Sequence, residues 1–348
     1  MRINVLVAGV GGASLGTEII KCLKLKSELY NIFVCDISPL AYGLFEEGVA
    51  KAFLSDEKDY WGSIERICTE AGIQVIVPGG EQPMRLLNPH LRELAAKGIV
   101  LASNGQEVVD VCSNKAKLFE VLAANNVPVP RTYSGTGNDV FASLSYPCIV
   151  KPSKDSGGSA FVSLAHDEED ARIYANQIVK SGREPIFQEY VPVSGGEYSF
   201  SVLSTPSGEV FGGVGIRKVF DIKLMYVYKS KAGIISSGYS QGLISSFPEI
   251  FKQVQDIATL LNSHGPLNIE GRVVNGRFIP FEINPRFSAT TYLWATAGFN
   301  DVDYFIRLLC GLPINERPAI IEGYYLRSLS EKFVPTEVGA VLPNSVRD

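Results

Sequence analysis

The chain has 348 residues, 46% apolar and 20% charged, with a formal net charge of −5. That length supports two or three cores, and an acidic balance without a long Lys/Arg run argues against nucleic-acid binding. Six cysteines (22, 35, 68, 112, 148 and 310) and three histidines (90, 166 and 264) make no metal-type or CxxC spacing; with no signal peptide or bilayer-length apolar run, a cytoplasmic protein with reduced thiols is expected.

Residues 3–8 read as a buried strand. Gly9-Val10-Gly11-Gly12-Ala13-Ser14-Leu15-Gly16 follows, then an amphipathic helix to about residue 26. Further strands are predicted at 31–35, 75–77 and 99–102, with helical patterns between them, which implies a doubly wound parallel sheet. The turn, with Asp36 twenty residues beyond Gly16, invites a dinucleotide reading. The GxGxxG fingerprint is incomplete, because Ser14 stands third and glycine comes two residues late. The same glycines suit a substrate anion at the helix start, or simply a tight turn against a closely packed helix.

From Ser113 the texture changes. Ser113 is a candidate N-cap for a helix over 114–125 with Lys115 in its first turn. A strand runs into Lys151-Pro152, followed by Ser153-Lys154-Asp155-Ser156-Gly157-Gly158-Ser159. A lysine at a strand end beside a Gly/Ser loop can neutralise one phosphate while loop N–H groups wrap another, although solvated hairpin tips look alike. A helix over 167–180 leads to Gln188-Glu189-Tyr190-Val191. Residues 197–202 then alternate like a half-buried strand, residues 210–216 return after a turn, and Arg217 and Lys218 follow. An aromatic strand is predicted over 224–228, and the tract 236–242 reads as loop.

Two runs rich in β-branched and aromatic residues flank Asn275-Gly276, a strong hairpin signal. On the second, Ile279, Phe281 and Ile283 alternate with Pro280, Glu282 and Asn284. One face is apolar and the other carries a carboxylate beside an amide, while the first run brings Asn268 and Glu270. Hard oxygen donors on neighbouring strands, with Arg286 beyond, suit Mg²⁺ and an anionic ligand; a solvated edge hairpin is the plainer alternative.

The order of these pieces resembles the ATP-grasp superfamily, particularly one half of a carbamoyl phosphate synthetase large subunit. The resemblance implies a Rossmann-like parallel-sheet domain at 1–112 that holds no dinucleotide. It implies a two-lobed ATP-grasp domain with antiparallel sheets at 113–312 (nucleotide lobe about 113–190, metal and substrate lobe about 191–312), and an extension at 313–348 packing back on the body. Lys115 and Lys151 would reach ATP phosphates beneath a mobile loop, Ser156, Gly157, Gly158 and Ser159. Gln188, Glu189, Tyr190 and Val191 match the adenine hinge, and Glu197 the acid at the ribose hydroxyls. Glu270, Glu282 and Asn284 match ligands of two Mg²⁺ ions, with Mn²⁺ as a substitute. Arg286, Arg217 and Lys151 would serve the transferred phosphoryl group. Arg327 is a candidate carboxylate binder.

The activity so implied is ATP-dependent activation of a small carboxylate as an acyl phosphate, then capture by an amine or thiol. The expected partners are small molecules and a second copy in a homodimer, with neither nucleic acid nor membrane. Phosphorylation of bicarbonate or carbamate with a partner protein, and a non-catalytic ATP-binding module, are the alternatives. The hairpin carries a geometric demand. A plain two-residue turn pairs Glu270 with Phe281 and turns Glu270 and Glu282 to opposite faces. A three-residue loop with a bulge pairs Glu270 with Glu282, and that register is the expectation.

Overall fold

The computed structural model describes residues 2–12, 15–154, 161–222, 224–231, 233–315 and 318–335. A parallel sheet occupies the first third: β1 (Ile3–Ala8), β2 (Tyr30–Asp36), β3 (Val49–Leu54), β4 (Val75–Pro78) and β5 (Val100–Leu101), in the order β3-β2-β1-β4-β5. Strand β4 is apolar and buried throughout, and β1 from Val5 to Ala8, as parallel strands covered on both faces require. Strand β3 escapes the sequence reading because it is the edge: VAKAFL is largely exposed and carries neither a buried run nor a regular alternation.

The glycine-rich turn is closely approached by the protein's own backbone. A Cβ on Gly16 or on Gly79 would stand 1.9 Å from the carbonyl oxygen of Gly9, so these glycines let the helix Leu15–Lys24 and the turn after β4 approach the backbone. The Asp36 carboxylate accepts from Val10 N–H (2.6 Å) and Ser38 N–H (2.9 Å). The acid that suggested a ribose partner therefore caps its own turn, and the packing reading accounts for this motif.

Two antiparallel sheets follow. The smaller contains β6 (Thr132–Ser134), β7 (Cys148–Pro152), β8 (Ser163–Ala165) and β9 (Pro185–Glu189), ordered β6-β9-β7-β8. The larger has six strands: β10 (Glu197–Ser204), β11 (Val210–Lys218), β14 (Gly242–Ser245), β15 (Pro266–Val274), β16 (Arg277–Asn284) and β17 (Gly323–Tyr325), ordered β16-β15-β10-β11-β14-β17. Between β11 and β14 lies a two-stranded ribbon, β12 (Met225–Lys229) with β13 (Ile234–Gly238). The tract read as loop over 236–242 therefore begins inside a strand. The helix Pro248–Leu260 covers the larger sheet through an aromatic cluster of Phe200, Phe247, Phe251 and Phe278.

The helix carrying Lys115 is Lys115–Ala124, and its N-cap is Asn114, not Ser113. Asn114 is extended (φ −111, ψ 97), and its side chain accepts from Lys117 N–H. Ser113 closes the preceding helix, Gln106–Ser113. At the other end of the chain, β17 adds a sixth strand beside β14, and Tyr42 Oη lies 2.8 Å from Ser330 Oγ. A continuous core joins Ile19, Ile20 and Leu23 of the first helix to Trp294, Phe299 and Phe305, so the parallel sheet and the larger antiparallel sheet share one apolar interior.

Candidate active site

The β15–β16 hairpin combines the tight two-residue turn with the register expected of the longer loop. Val274 pairs with Arg277 across Asn275-Gly276, whose φ values of 50° and 75° fit a tight two-residue turn. The three-residue loop is thus not formed. The odd residue enters further along, as a bulge: Gly271 pairs with Pro280 and Glu270 with Glu282, leaving Phe281 outside the ladder. The bulge reverses the facing of everything beyond it. Glu270 and Glu282 stand opposite each other, as do Asn268 and Asn284.

The freed carbonyl of Phe281 is used. Lys151, on β7 of the other sheet and 5% exposed, donates from Nζ to Phe281 O (3.0 Å) and to Gln188 Oε1 (2.8 Å). One bulge therefore pairs the carboxylates and receives the lysine that faces them. Burial pushes the Lys151 ammonium down to about 7; Lys115 pushes the same way, and Glu282 opposes them.

Between the smaller and larger sheets lies a cleft of about 670 Å³ including its mouth, a size suited to a nucleotide-scale ligand. Its apolar lining is Ile149, Val162, Ile234, Ile235 and Phe281, and its charged lining includes Lys115, Lys151, Glu197 and Glu282. Gln188, Glu189, Tyr190 and Val191 line the connecting segment. Its backbone is partly engaged, since Glu189 N–H donates to Arg131 O and Val191 O accepts from Arg272 Nη1 at 2.6 Å. Ser156, Gly157, Gly158 and Ser159 lie outside the described residues.

Glu197 is the most enclosed acid of the cleft, 1% exposed. Its oxygens accept from Arg272 Nε (2.8 Å), Lys218 Nζ (3.0 Å) and Ser236 Oγ. Burial works to raise its pKa, but Lys218 and Arg272 outweigh that and hold it below the usual carboxylate range. The acid expected at a ribose is thus first of all the counter-charge of two buried cations. Lys218 also reaches Glu270 Oε2 at 2.6 Å. The carboxyl pair divides: burial and Glu282 raise Glu270 against the pull of Lys218, whereas Glu282, despite its burial, is held down by Lys115, Lys151 and Arg286. Asn284 accepts from Arg286 Nη2 (3.3 Å), whose Nη1 donates to Phe287 O.

Arg217 is the residue the structure does not bring in. Neighbouring strand residues face opposite ways, so Arg217 is exposed while Lys218, 9% exposed, enters the site. Sequence reasoning also passed over Arg272, although Asn268, Glu270 and Arg272 share one face by simple alternation. It noted Lys218 beside Arg217 but gave the site role to Arg217, because their facing is set by the pairing of Tyr198 with Arg217, across a loop whose register composition leaves open.

Among the described residues, no group of three or more His, Cys, Asp and Glu side chains is placed to hold a metal. The hard-donor set is two facing carboxylates with two amides beside them. Nor does any helix reach the length and apolarity needed to cross a membrane among those residues.

Comparisons with known proteins agree with this geometry. Over 260 residues, 73% of this chain and 22% of the relative, the protein is 23% identical to the carbamoyl phosphate synthase large chain of Archaeoglobus fulgidus. It therefore spans under a quarter of that relative's length. Its fold resembles the biotin carboxylase domain of the Hydrogenobacter thermophilus 2-oxoglutarate carboxylase, a dimer in complex with MgADP, ADP and bicarbonate (TM-score 0.65, 18% identity, 91% of this chain and 72% of that one). It also resembles an L-amino acid ligase from Bacillus licheniformis (TM-score 0.65, 14% identity, 88% and 74%). A family model described as an ATP-grasp domain matches residues 112–290, just over half of the chain, and spans the lysines, the acids and the bulged hairpin described above. The protein belongs to the ATP-grasp family.

Proposed function

We propose that the chain is an ATP-dependent ligase that activates a small carboxylate with Mg-ATP. The observation that carries this is the bulge at Phe281, which sets Glu270 opposite Glu282 and seats Lys151 against the same strand. The apolar lining of the cleft would accept the base, Lys115 and Lys151 would take the phosphates, and Glu270, Glu282 and Asn284 would supply oxygen donors for two Mg²⁺ ions, with Mn²⁺ as a substitute. Bound metal would neutralise charge on the β- and γ-phosphates.

A carboxylate oxygen of the substrate attacks the γ-phosphorus, the bond from that phosphorus to the β,γ-bridging oxygen breaks, and ADP leaves. An amine or thiol then attacks the acyl carbon, phosphate departs with the bonding pair, and the nucleophile loses a proton. The protein's part is positioning and charge neutralisation. Lys218 is paired with Glu270, while Lys115, Lys151 and Arg286 are the cations acting on Glu282, and Arg217 is left out of the role first considered for it. We divide the chain at 1–112, 113–312 and 313–348, with the nucleotide cleft between lobes of about 113–190 and 191–312.

Glu282→Gln tests the reading, because it removes one carboxylate charge and keeps the shape. Substrate-dependent ADP release should fall at least a hundredfold with folding intact by circular dichroism; full turnover in the variant would refute the metal assignment. A second reading, phosphorylation of bicarbonate, is favoured by the similarity to carbamoyl phosphate synthase large chains. It predicts ADP release driven by bicarbonate alone, with no response to organic carboxylates.

A further inference from the structure

Beside the first helix lies a second cavity, about 800 Å³ including its mouth, lined by Glu18, Lys21, Tyr42, Tyr239, Tyr292 and Arg327 among others. It shares no lining residue with the nucleotide cleft, but the two are close along the chain. Ser236 of β13 belongs to the first and Tyr239 to the second, and Arg327 Nη2 donates to Ala289 O, three residues beyond Arg286.

Its charged groups are incompletely matched. The Arg327 side chain is 10% exposed and that of Glu18 8%, yet Arg327 Nη1 and Glu18 Oε2 stand 3.5 Å apart, longer than a charge-assisted hydrogen bond. Arg327 Nε is buried and has no hydrogen-bond partner among the described residues, and a desolvated donor left so is costly. A carboxylate placed at the guanidinium satisfies that N–H, and an ammonium placed at Glu18 Oε2 completes the opposite side. The remaining walls include three phenol rings, Tyr42, Tyr239 and Tyr292, together with the apolar side chains of Leu224, Leu293, Leu326 and Leu329. Lys21 Nζ, bound to Glu18 Oε1 at 2.8 Å, lies 5.5 Å from the Tyr292 ring centroid, and Tyr42 is held by Ser330. Three tyrosines suit a flat apolar side chain.

We propose that this cavity is the acceptor site and that it takes an α-amino acid with an aromatic side chain. Its α-carboxylate lies on Arg327, facing the loop that bears Arg286, its α-ammonium on Glu18, and its ring among Tyr42, Tyr239 and Tyr292. The acceptor role rests on the ligase reading above; the binding chemistry does not.

Calorimetry on the full chain, with and without Mg-ADP, separates the two. L-Phenylalanine should bind at least ten times more tightly than phenylacetate, phenethylamine or L-alanine. Glu18→Gln should abolish the preference for phenylalanine over phenylacetate, and Arg327→Lys should weaken phenylalanine at least tenfold. If an Arg327 variant does not fold, the ligand series on the unaltered protein still decides. Equal binding of phenylacetate refutes the zwitterion, equal binding of alanine refutes the aromatic class, and no phenylalanine binding under either condition refutes the site even where Mg-ADP binds. Phenylalanine binding in a protein that ignores Mg-ADP upholds the pocket and refutes the ligase.

Discussion

Lys151 shows how much one residue draws from surroundings its own sequence neighbours do not supply. Strand β7 buries it, Lys115 stands near, and among the described residues its ammonium donates to an amide oxygen and a carbonyl. Its proton is therefore held loosely, with a pKa near 7 in place of 10.5. Phosphate oxygens beside it favour the charged form and move that value back up. Nucleotide binding at pH 8 should consequently take up a fraction of a proton, seen as a dependence of the calorimetric enthalpy on the buffer's ionisation enthalpy. Lys151→Met should remove the dependence and weaken nucleotide binding at least tenfold; uptake unchanged in the variant would assign the proton elsewhere. The lysine was legible in the sequence, beside its Gly/Ser loop, but its acceptor was not, because the Phe281 carbonyl is 130 residues away and is freed by a bulge.

The element that organises the site is the hairpin, and its two irregularities act separately. Gly276 sits at φ 75° with nothing near the position of a Cβ, so a side chain there meets only the backbone cost of a left-handed conformation. Gly276→Val should lower stability by about 1–2 kcal/mol in urea denaturation and leave nucleotide affinity unchanged, because the bulge, not the turn, sets the register at Glu270. Affinity falling in step with stability would mean that the turn governs the site. Binary alternation identified the strands and the polar face, and Asn-Gly identified the turn. The bulge was beyond it, since an inserted residue leaves no mark in a period of two except that the facing reverses, and only the partner strand registers that.

At the scale of the molecule, the parallel sheet is tied to the larger antiparallel sheet partly through buried polar groups. Asp301, wholly buried, accepts from Ser201 Oγ at 2.6 Å and from Thr291 Oγ1, while Tyr30 Oη donates to Asp303 at 2.6 Å. Burial raises the Asp301 carboxyl from 3.8 to about 6, against the hydrogen bonds. The folded state thus holds this proton more tightly than the unfolded chain does. The resulting stabilisation is complete below pH 3.8, is lost as pH rises through 6, and amounts to roughly 3 kcal/mol at about 1.4 kcal/mol per unit. Glu197 and Glu282, held low, act in the opposite direction, so the measurement is a difference: stability of the protein minus that of Asp301→Asn should fall as pH rises from 4 to 7. A flat difference would mean that Asp301 titrates as it does in the unfolded chain.

The amino-acid sequence already carried the alternation of strand and helix that makes a parallel sheet, the hairpin with its Asn-Gly turn, and the acids and lysines along the cleft. Each is written in local periodicity or in a turn's need for positive φ. It also supplied the family, because these pieces keep their order and spacing over most of the chain. Folding added that Lys218 enters the site and Arg217 leaves it, that Glu197 answers two buried cations, and that a bulge brings Glu270 and Glu282 face to face. The physical reason is common to all three. Which way a side chain points depends on cross-strand register, and register is settled by two strands packing together rather than by the residues of either one.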